Sequence, residues 1–279
     1  MQKKSSLLVS ATAAVMLMGT SVGFSQVSLE HRWDMNSVND IVGSANGELA
    51  PGAQLEGGVL IPANGDNPAG GTGNGLNLPT SAVAGLDGAF SIEVWYTRTG
   101  DGVWKTLYAF TGGAGNDTDN YLIGVQRRGD PADTQSSAFK WDGAEYLTLG
   151  DLNAVNELSQ VVTTYDGAGT ASFYLNGVLQ GTFTNIDPAF QLSSLTTLMG
   201  IGGNSPWPDD VLEGTISDFR IYAGALDATQ VSTLNGLGAD ATNDQIFAAV
   251  PEPEVYAMAM VGFLGLFVFG RLRRIRITA

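Results

Sequence analysis

The sequence predicts an all-β protein built as a sandwich or a barrel. Short runs rich in β-branched and aromatic residues recur along the middle of the chain, and Gly, Asn, Asp and Pro separate them. Strands with turn residues at this density are typical of those two architectures. The clearest runs are FSIEVWYTR (Phe90–Arg98), WKTLYAF (Trp104–Phe110), YLIGVQR (Tyr121–Arg127), LSQVVTTY (Leu158–Tyr165) and GTISDFRIY (Gly214–Tyr222).

Two local elements are predicted with specific bounds. In ASFYLNGVLQGTF, the pair Asn176-Gly177 separates two strand-like runs and suits the two positive-φ positions of a type I′ hairpin turn. One helix is predicted over Ala228–Asn235, because Asp227 and Gln230 can form a capping box and Gly236 can end the helix.

The start of the chain has the three parts of a secretory signal peptide. Lys3 and Lys4 precede an apolar run from Leu7 to Met18, and small residues follow before Gln26. We therefore expect residues 1–25 to direct export and to be removed. A lone membrane anchor is the alternative, which the short apolar run disfavours.

Charge is segregated along the chain. The net charge is -15, but without residues 1–25 and 251–279 the middle holds 7 basic against 26 acidic residues, a net charge of -19. Such a surface repels phosphate backbones, so nucleic acid is not an expected partner. Cysteine is absent, which excludes disulfides, thiolate zinc sites and cysteine nucleophiles.

The middle of the chain reads as one globular domain. We place it over residues 27–238, with the glycine-rich stretch at 62–75 as a surface loop. Residues 239–249 then form a polar linker.

Four segments in order resemble the laminin G-like, concanavalin A-like jelly-roll domains of bacterial surface proteins. They are LEHRWDMNSVNDIVGSANGEL with Trp33, FSIEVWYT with Ile92–Trp95, FYLNGVLQ with Tyr174–Gly177, and GTISDFRIYAGALDATQVSTL with Arg220–Tyr222. The resemblance implies an all-β, two-sheet antiparallel jelly-roll sandwich. That fold hosts lectins, glycan-binding modules, adhesive domains and some glycosidases, so the site must decide the function.

An enzyme is not expected. The β-glucanase relatives of this fold carry their carboxylates as Glu-x-Asp-x-x-Glu along one strand, and that run is absent. Glu93 has no carboxylate two or five residues later, so we predict a paired structural glutamate. The single histidine, His31, is predicted to be a surface residue.

A structural calcium ion is a hypothesis, because acidic glycine-rich loops supply the oxygen ligands that it prefers. Asp117 and Asp119 alternate in GNDTDN but lack the later glutamate of an EF-hand, and solvated turn residues are the alternative. By resemblance, an ion between the opening loop and the last strand implies Asp40 and Asp218 as ligands.

The candidate glycan-binding residues lie in one loop, NSPWPDD. The prolines on either side of Trp207 would restrict the backbone and hold its ring exposed. Asn204, Asp209 and Asp210 would form hydrogen bonds to the ligand beside it. The alternative is that Trp207 covers a sandwich edge. Trp95, Trp104 and Trp141 lie in or next to strand runs and are predicted to pack against a sheet.

The end of the chain combines a motif, an apolar run and a basic cluster. Residues 255–270 are 16 uncharged residues, about 24 Å as a helix against a hydrocarbon core of about 30 Å. The arginines that follow predict a cytoplasmic end. The motif is Pro251, Glu252 and Pro253, and the basic cluster is Arg271, Arg273, Arg274 and Arg276.

This order resembles the PEP-CTERM sorting signal of Gram-negative bacteria, here over residues 250–279 with a single transmembrane helix. The resemblance implies the membrane enzyme exosortase as a processing partner, transient anchoring in the inner membrane, and a final place in the envelope, at the surface or in the extracellular matrix. An ordinary C-terminal anchor is the alternative. We therefore expect an exported protein that binds glycan or exopolysaccharide or mediates matrix adhesion. The alternatives are a purely structural matrix component and, disfavoured by the missing carboxylate run, a divergent glycoside hydrolase.

Overall fold

Two antiparallel β-sheets pack face to face and enclose the main hydrophobic core. The computed structural model describes residues 27–63, 74–112, 119–129, 134–203 and 211–250. The described strands are β1 (Ser28–Trp33), β2 (Glu48–Leu49), β3 (Gln54–Glu56), β4 (Val59–Ile61), β5 (Leu76–Asn77), β6 (Phe90–Arg98), β7 (Thr106–Gly112), β8 (Asn120–Val125), β9 (Thr134–Trp141), β10 (Ala144–Asp151), β11 (Leu158–Tyr165), β12 (Ala171–Leu175), β13 (Val178–Phe183), β14 (Leu198–Ile201) and β15 (Gly214–Ala223). The helices are α1 (Ala228–Leu237) and α2 (Asn243–Ala249).

The strand order is that of a jelly-roll-like sandwich. The first sheet runs β13-β12-β11-β6-β15-β4-β3, with β1 also paired to β15, and the second runs β10-β9-β8-β7-β14-β5-β2. Every pair of these named strands is antiparallel. The structure thus confirms the predicted two-sheet antiparallel sandwich.

Strand β6 shows how the sequence divides its side chains between the two faces of the first sheet. Phe90, Ile92, Val94 and Tyr96 belong to the core between the sheets. The alternate residues, including Glu93, point to the outer face, as the two-residue period of a strand requires. β6 is nevertheless buried along nearly its whole length, because helices cover that outer face.

The two sheets are also joined by a polar bridge within the core. The Tyr108 hydroxyl lies 2.8 Å from Ser137 Oγ in its own sheet and 2.9 Å from Thr163 Oγ1 in the other. Burial raises the pKa of Tyr108 to about 12, so the hydroxyl keeps its proton at physiological pH.

The predicted hairpin is confirmed. β12 and β13 are joined by Asn176 and Gly177, with φ of 48° and 79°, as a type I′ turn requires. The Asn176 side chain also accepts a hydrogen bond of 2.9 Å from the Gln160 backbone N–H, which ties the turn to β11.

The C-terminal segment differs from its prediction. α1 begins at the predicted capping box of Asp227 and Gln230, but it continues through Gly236 and ends at Leu237, with Gly238 at φ 85°. The stretch predicted as a linker contains a second helix, α2, with its own capping box. The linker prediction was wrong because Ile246 and Val250 are buried, so this stretch packs as part of the domain.

α1 and α2 cover part of the outer face of the first sheet. Val231, Leu234 and Ile246 from the helices form a second hydrophobic cluster with sheet residues that include Val162 and Tyr222. The helices therefore bury the outward-facing polar residues of β6 and β15.

Candidate functional site

A surface cleft of about 650 Å³ opens where one end of the second sheet meets the loop after β13. We call it the Trp141 cleft. Its lining residues are Asp119, Asn120, Trp141, Asp142, Gly143, Asp187 and Ala189.

Trp141 lines the cleft and packs against the main hydrophobic core. It is the last residue of β9, and its half-buried ring packs against Phe190 with the centroids 5.5 Å apart and the planes at 64°. Phe190 is itself fully buried against Phe139 and Tyr165. The Trp141 indole N–H makes no hydrogen bond within the part of the chain that the structure describes. An aromatic ring, whose N–H has no hydrogen-bond partner among the described residues, therefore lines the cleft.

The turn that follows Trp141 explains this position. Asp142 and Gly143 have φ of 46° and 82° and join β9 to β10, with Trp141 paired to Ala144. This is the geometry of a type I′ hairpin turn. The Asp142 backbone N–H donates to Asn120 Oδ1 over 2.9 Å, which fixes the turn against β8.

Three aspartates line the cleft together with the tryptophan. The side chains of Asp119 and Asp142 are exposed and accept no hydrogen bond from any described residue. Asp187 is half-buried, and its Oδ1 accepts a bond of 2.8 Å from the Ala189 backbone N–H. The cleft thus combines an apolar ring, a free N–H donor and carboxylate acceptors, a set that suits a polyhydroxyl ligand.

A second polar centre lies on the outer face of the first sheet, under the C-terminal segment, and Glu93 is at its middle. Glu93 Oε1 accepts from Trp95 Nε1 (2.8 Å), Gln160 Nε2 (2.7 Å) and Arg220 Nη1 (3.0 Å), and Oε2 accepts from the Tyr222 hydroxyl (2.6 Å). Burial and the Glu93 carboxylate raise the pKa of Tyr222 well above its ordinary value, so its hydroxyl remains a donor. The prediction that Glu93 is a paired structural residue is confirmed.

Two arginines extend this network to the C-terminal segment. Arg32 Nη2 and Arg220 Nη2 lie 2.7 and 2.6 Å from Asp218 Oδ2. Both guanidinium groups also donate to the Ala239 carbonyl, each over 3.1 Å, and Arg32 Nη1 donates to Asn243 Oδ1 over 2.8 Å. These contacts fasten the chain between α1 and α2 to the first sheet.

Asp40 is satisfied separately, within the opening loop. Its buried carboxylate accepts from the backbone N–H groups of Arg32, Gly43 and Ala45 at 2.9 to 3.0 Å and lies 2.6 Å from His31 Nδ1. His31 is half-buried against Trp33 and is not a free surface residue, which corrects that prediction.

A matching family model places these sites in a known fold family. A model described as the concanavalin A-like lectin/glucanases superfamily matches residues 70–232, more than half of the chain. The chain belongs to this family. A search of curated proteins by sequence gave no significant match.

Several solved structures share the fold of this concanavalin A-like domain. Domain 4 of AbnA, a GH43 extracellular arabinanase from Geobacillus stearothermophilus in complex with arabinotriose, has a TM-score of 0.55 at 21% identity, over 75% of this chain and 99% of that chain. The botulinum neurotoxin serotype G binding domain has a TM-score of 0.54 at 14% identity, over 75% of this chain and 51% of that chain. A structure of botulinum neurotoxin type C, whose cell entry depends on two ganglioside molecules, has a TM-score of 0.51 at 17% identity, over 76% and 51%. The chain thus spans about half the length of the toxin chains, and identities this low show the fold alone.

Calcium ligands were predicted at two pairs of residues in the concanavalin A-like domain, Asp40 with Asp218 and Asp117 with Asp119. Asp40 and Asp218 do not fit a shared ion, because N–H donors already occupy the Asp40 carboxylate and two guanidinium groups flank Asp218. Among the described residues, no group of three or more His, Asp or Glu side chains is arranged to hold a metal. Asp119 lines the Trp141 cleft and Asp117 lies outside the described residues, so calcium at that pair stays a prediction.

The other predicted sites lie outside the described residues. These are the loop residues Asn204, Trp207, Asp209 and Asp210, the motif Pro251, Glu252 and Pro253, and the basic cluster Arg271, Arg273, Arg274 and Arg276. The signal peptide and the apolar run 255–270 also lie outside them. Within the described ranges, no helix has the length and apolar character needed to span a membrane.

The sequence analysis did not place Trp141 in a cleft. It assigned Trp141 to sheet packing, whereas the ring packs on Phe190 of the loop after β13 and lines the cleft. The available signal was the dipeptide Asp142-Gly143 directly after the tryptophan, since Asp-Gly is a preferred type I′ turn and places the preceding residue at the end of its strand.

Proposed function

We propose that the concanavalin A-like domain binds glycan in the Trp141 cleft and is not an enzyme. The observation that carries this proposal is the Trp141 ring, which Phe190 fixes on one side while its N–H and the neighbouring Asp119 and Asp142 carboxylates have no partner among the described residues. An aromatic face packs on the C–H groups of a sugar ring. The carboxylates accept from its hydroxyl groups, and the indole N–H donates to one of its oxygens.

The comparisons support a binding role. The arabinanase domain was solved with arabinotriose, and the type C neurotoxin depends on gangliosides for cell entry. Both ligands are sugars or carry them, and both proteins have the fold of this chain. The position of the site rests on Trp141 alone, because identities of 21% and 17% do not identify equivalent residues.

Glu93 is excluded as a catalytic carboxylate, and the sequence lacks the Glu-x-Asp-x-x-Glu run of the β-glucanases. Glycoside hydrolysis needs two carboxyl groups beside the scissile bond. Glu93, the strand glutamate considered from the sequence, is completely buried and accepts from four donors. It is therefore committed to the structure and has no access to a substrate.

A glycan array with the purified protein tests the proposal. We expect wild-type protein to bind a subset of oligosaccharides, Trp141→Ala to lose that binding, and Trp141→Phe to retain part of it because the aromatic face remains. Trp104→Ala is the matched control, since Trp104 is half-exposed outside the cleft. Trp207→Ala tests the site predicted from the sequence.

Two outcomes would contradict the site. Binding that survives Trp141→Ala and is lost in Trp207→Ala would move the site to the loop at 204–210. No binding to any glycan would instead favour a purely structural matrix component. Equal melting temperatures of the variants would show that the losses are not due to unfolding.

Export and sorting form the second part of the proposal. The signal-peptide pattern of residues 1–25 and the Pro251-Glu252-Pro253 motif before an apolar run support delivery across the inner membrane and processing by exosortase. The binding domain would then reach the envelope, surface or extracellular matrix. Mass spectrometry of the mature protein should show that residues 254–279 are absent, and their presence would contradict this processing.

A further inference from the structure

The charge of the Trp141 cleft restricts which glycans fit it. Asp119, Asp142 and Asp187 contribute three carboxylates, and the lining residues include no lysine or arginine. Lys140 precedes Trp141 in β9 and lies on the other face of the strand, with its Nζ 5.7 Å from the centre of the Tyr121 ring. The cleft is therefore a negatively charged site in a domain that is itself acidic.

Two of these carboxylates are available for a ligand. The Asp119 and Asp142 side chains are exposed and have no hydrogen-bond or ion-pair partner within the described ranges. This sets them apart from Asp40 and Asp218, which are buried and saturated with donors. A ligand ammonium group beside Trp141 would meet carboxylates on one side and the aromatic ring, which also attracts cations, on the other.

We infer that the cleft selects sugar chains that carry amino groups and disfavours chains of uronic acids. This inference rests on the proposed glycan-binding function and deepens it by naming the ligand class. A carboxylated sugar would place like charges against Asp119, Asp142 and Asp187. An uncharged, N-acetylated sugar has the same ring contacts as the amino sugar but lacks the ion pairs.

The test compares three probes of equal length: glucosamine oligomers, N-acetylglucosamine oligomers and galacturonic acid oligomers. Binding to the purified protein is measured by calorimetry at mildly acidic pH, where the amines of glucosamine are protonated. We expect the glucosamine chain to bind tightest and the galacturonate chain weakest. Exposed ion pairs are individually weak, so the expected gain is roughly 2- to 5-fold in affinity per pair, and the preference should shrink as salt is added.

Two triple variants test whether the preference for glucosamine chains comes from the cleft. Asp119→Asn, Asp142→Asn and Asp187→Asn together should remove most of the discrimination between glucosamine and N-acetylglucosamine chains. The matched control changes three exposed aspartates outside the cleft: Asp151→Asn, Asp240→Asn and Asp244→Asn. It alters the net charge equally and should leave the discrimination intact.

The outcomes separate this inference from the proposed function. If the N-acetylated or galacturonate chain binds as tightly as the glucosamine chain, and Trp141→Ala abolishes that binding, the charge selectivity is wrong while glycan binding in the cleft stands. If the control triple variant removes the discrimination as fully as the cleft variant, the selectivity belongs to the whole surface and the inference fails. If none of the probes and no glycan on the array binds, the proposed function itself fails.

Discussion

Arg220 Nη1 lies 3.0 Å from Glu93 Oε1, and both side chains are fully buried between β6, β15 and the helices. Removing one partner of a buried ion pair leaves an uncompensated charge. Arg220→Met should therefore lower the free energy of unfolding by about 3–5 kcal/mol. Denaturant unfolding measures this change.

The partly exposed pair Lys105–Glu213 is the comparison for that prediction. Its Nζ–Oε1 distance is 3.1 Å, and the Lys105 side chain is 7% exposed but the Glu213 side chain is 40% exposed. Glu213→Gln should cost less than Arg220→Met, because solvent reaches the Glu213 side chain and the glutamine amide oxygen can still accept from Lys105. An Arg220→Met effect as small as that of Glu213→Gln would show that the buried network does not stabilise the fold.

The stability of the folded protein should fall at acidic pH in part because of Asp40 in the opening loop. Burial raises the pKa of Asp40, but hydrogen bonds from the Arg32, Ala45 and Gly43 backbones and from His31 outweigh it, so the pKa is lowered from 3.8. The folded state thus favours the ionised carboxylate, and this stabilisation is present above pH 3.8 and lost as the pH falls through the lower, folded-state value.

We therefore expect Asp40→Asn to be destabilised relative to wild type at neutral pH, and the difference to shrink below pH 3.8. Thermal unfolding from pH 2 to 7 measures it. Asp240→Asn removes the same charge from an exposed site and controls for the net charge. A difference between wild type and Asp40→Asn that stays constant over this range would contradict the assignment.

Helix α2 should contribute to the stability of the domain. Ile246 is fully buried, while its neighbour Phe247 is 42% exposed. Ile246→Ala should cost about 2–5 kcal/mol, because a buried side chain is removed and a cavity remains. Phe247→Ala in the same helix should cost much less. Equal losses in denaturant unfolding would show that α2 does not pack as a fixed part of the domain.

Two glycines near α1 should respond to alanine in opposite directions. Gly177 has φ 79° in the hairpin turn, and a Cβ there would lie 3.1 Å from the Asn235 Cβ. Gly236 lies inside α1 with open space around a Cβ. Gly177→Ala should destabilise the protein, while Gly236→Ala should stabilise it by up to about 1 kcal/mol. A loss of stability in Gly236→Ala would contradict the observed extent of α1.

The parts of the fold that were predictable depend on local patterns. Strand periodicity indicated the sandwich, Asn176-Gly177 indicated the hairpin, and the Asp227–Gln230 pair indicated the start of α1. Helix α2 has an equally local signal in Thr242 and Gln245, but its short apolar pattern concealed it.

The parts that were not predictable depend on strand order. Glu93 and Arg220 are 127 residues apart, and they meet only because β6 and β15 are neighbours. The same holds for Trp141 and Phe190, which approach each other through the packing of a loop on a strand end. Single-sequence patterns carry no information on such pairs.

The central claim is that the Trp141 cleft binds glycan, and the NMR signals of the indole N–H groups test it most directly. The chain has five tryptophans, and each gives its own signal in protein labelled with ¹⁵N-tryptophan. Titration with the oligosaccharide that binds tightest should shift the Trp141 signal and leave the Trp104 signal in place. A shift of the Trp207 signal with an unchanged Trp141 signal would contradict the account.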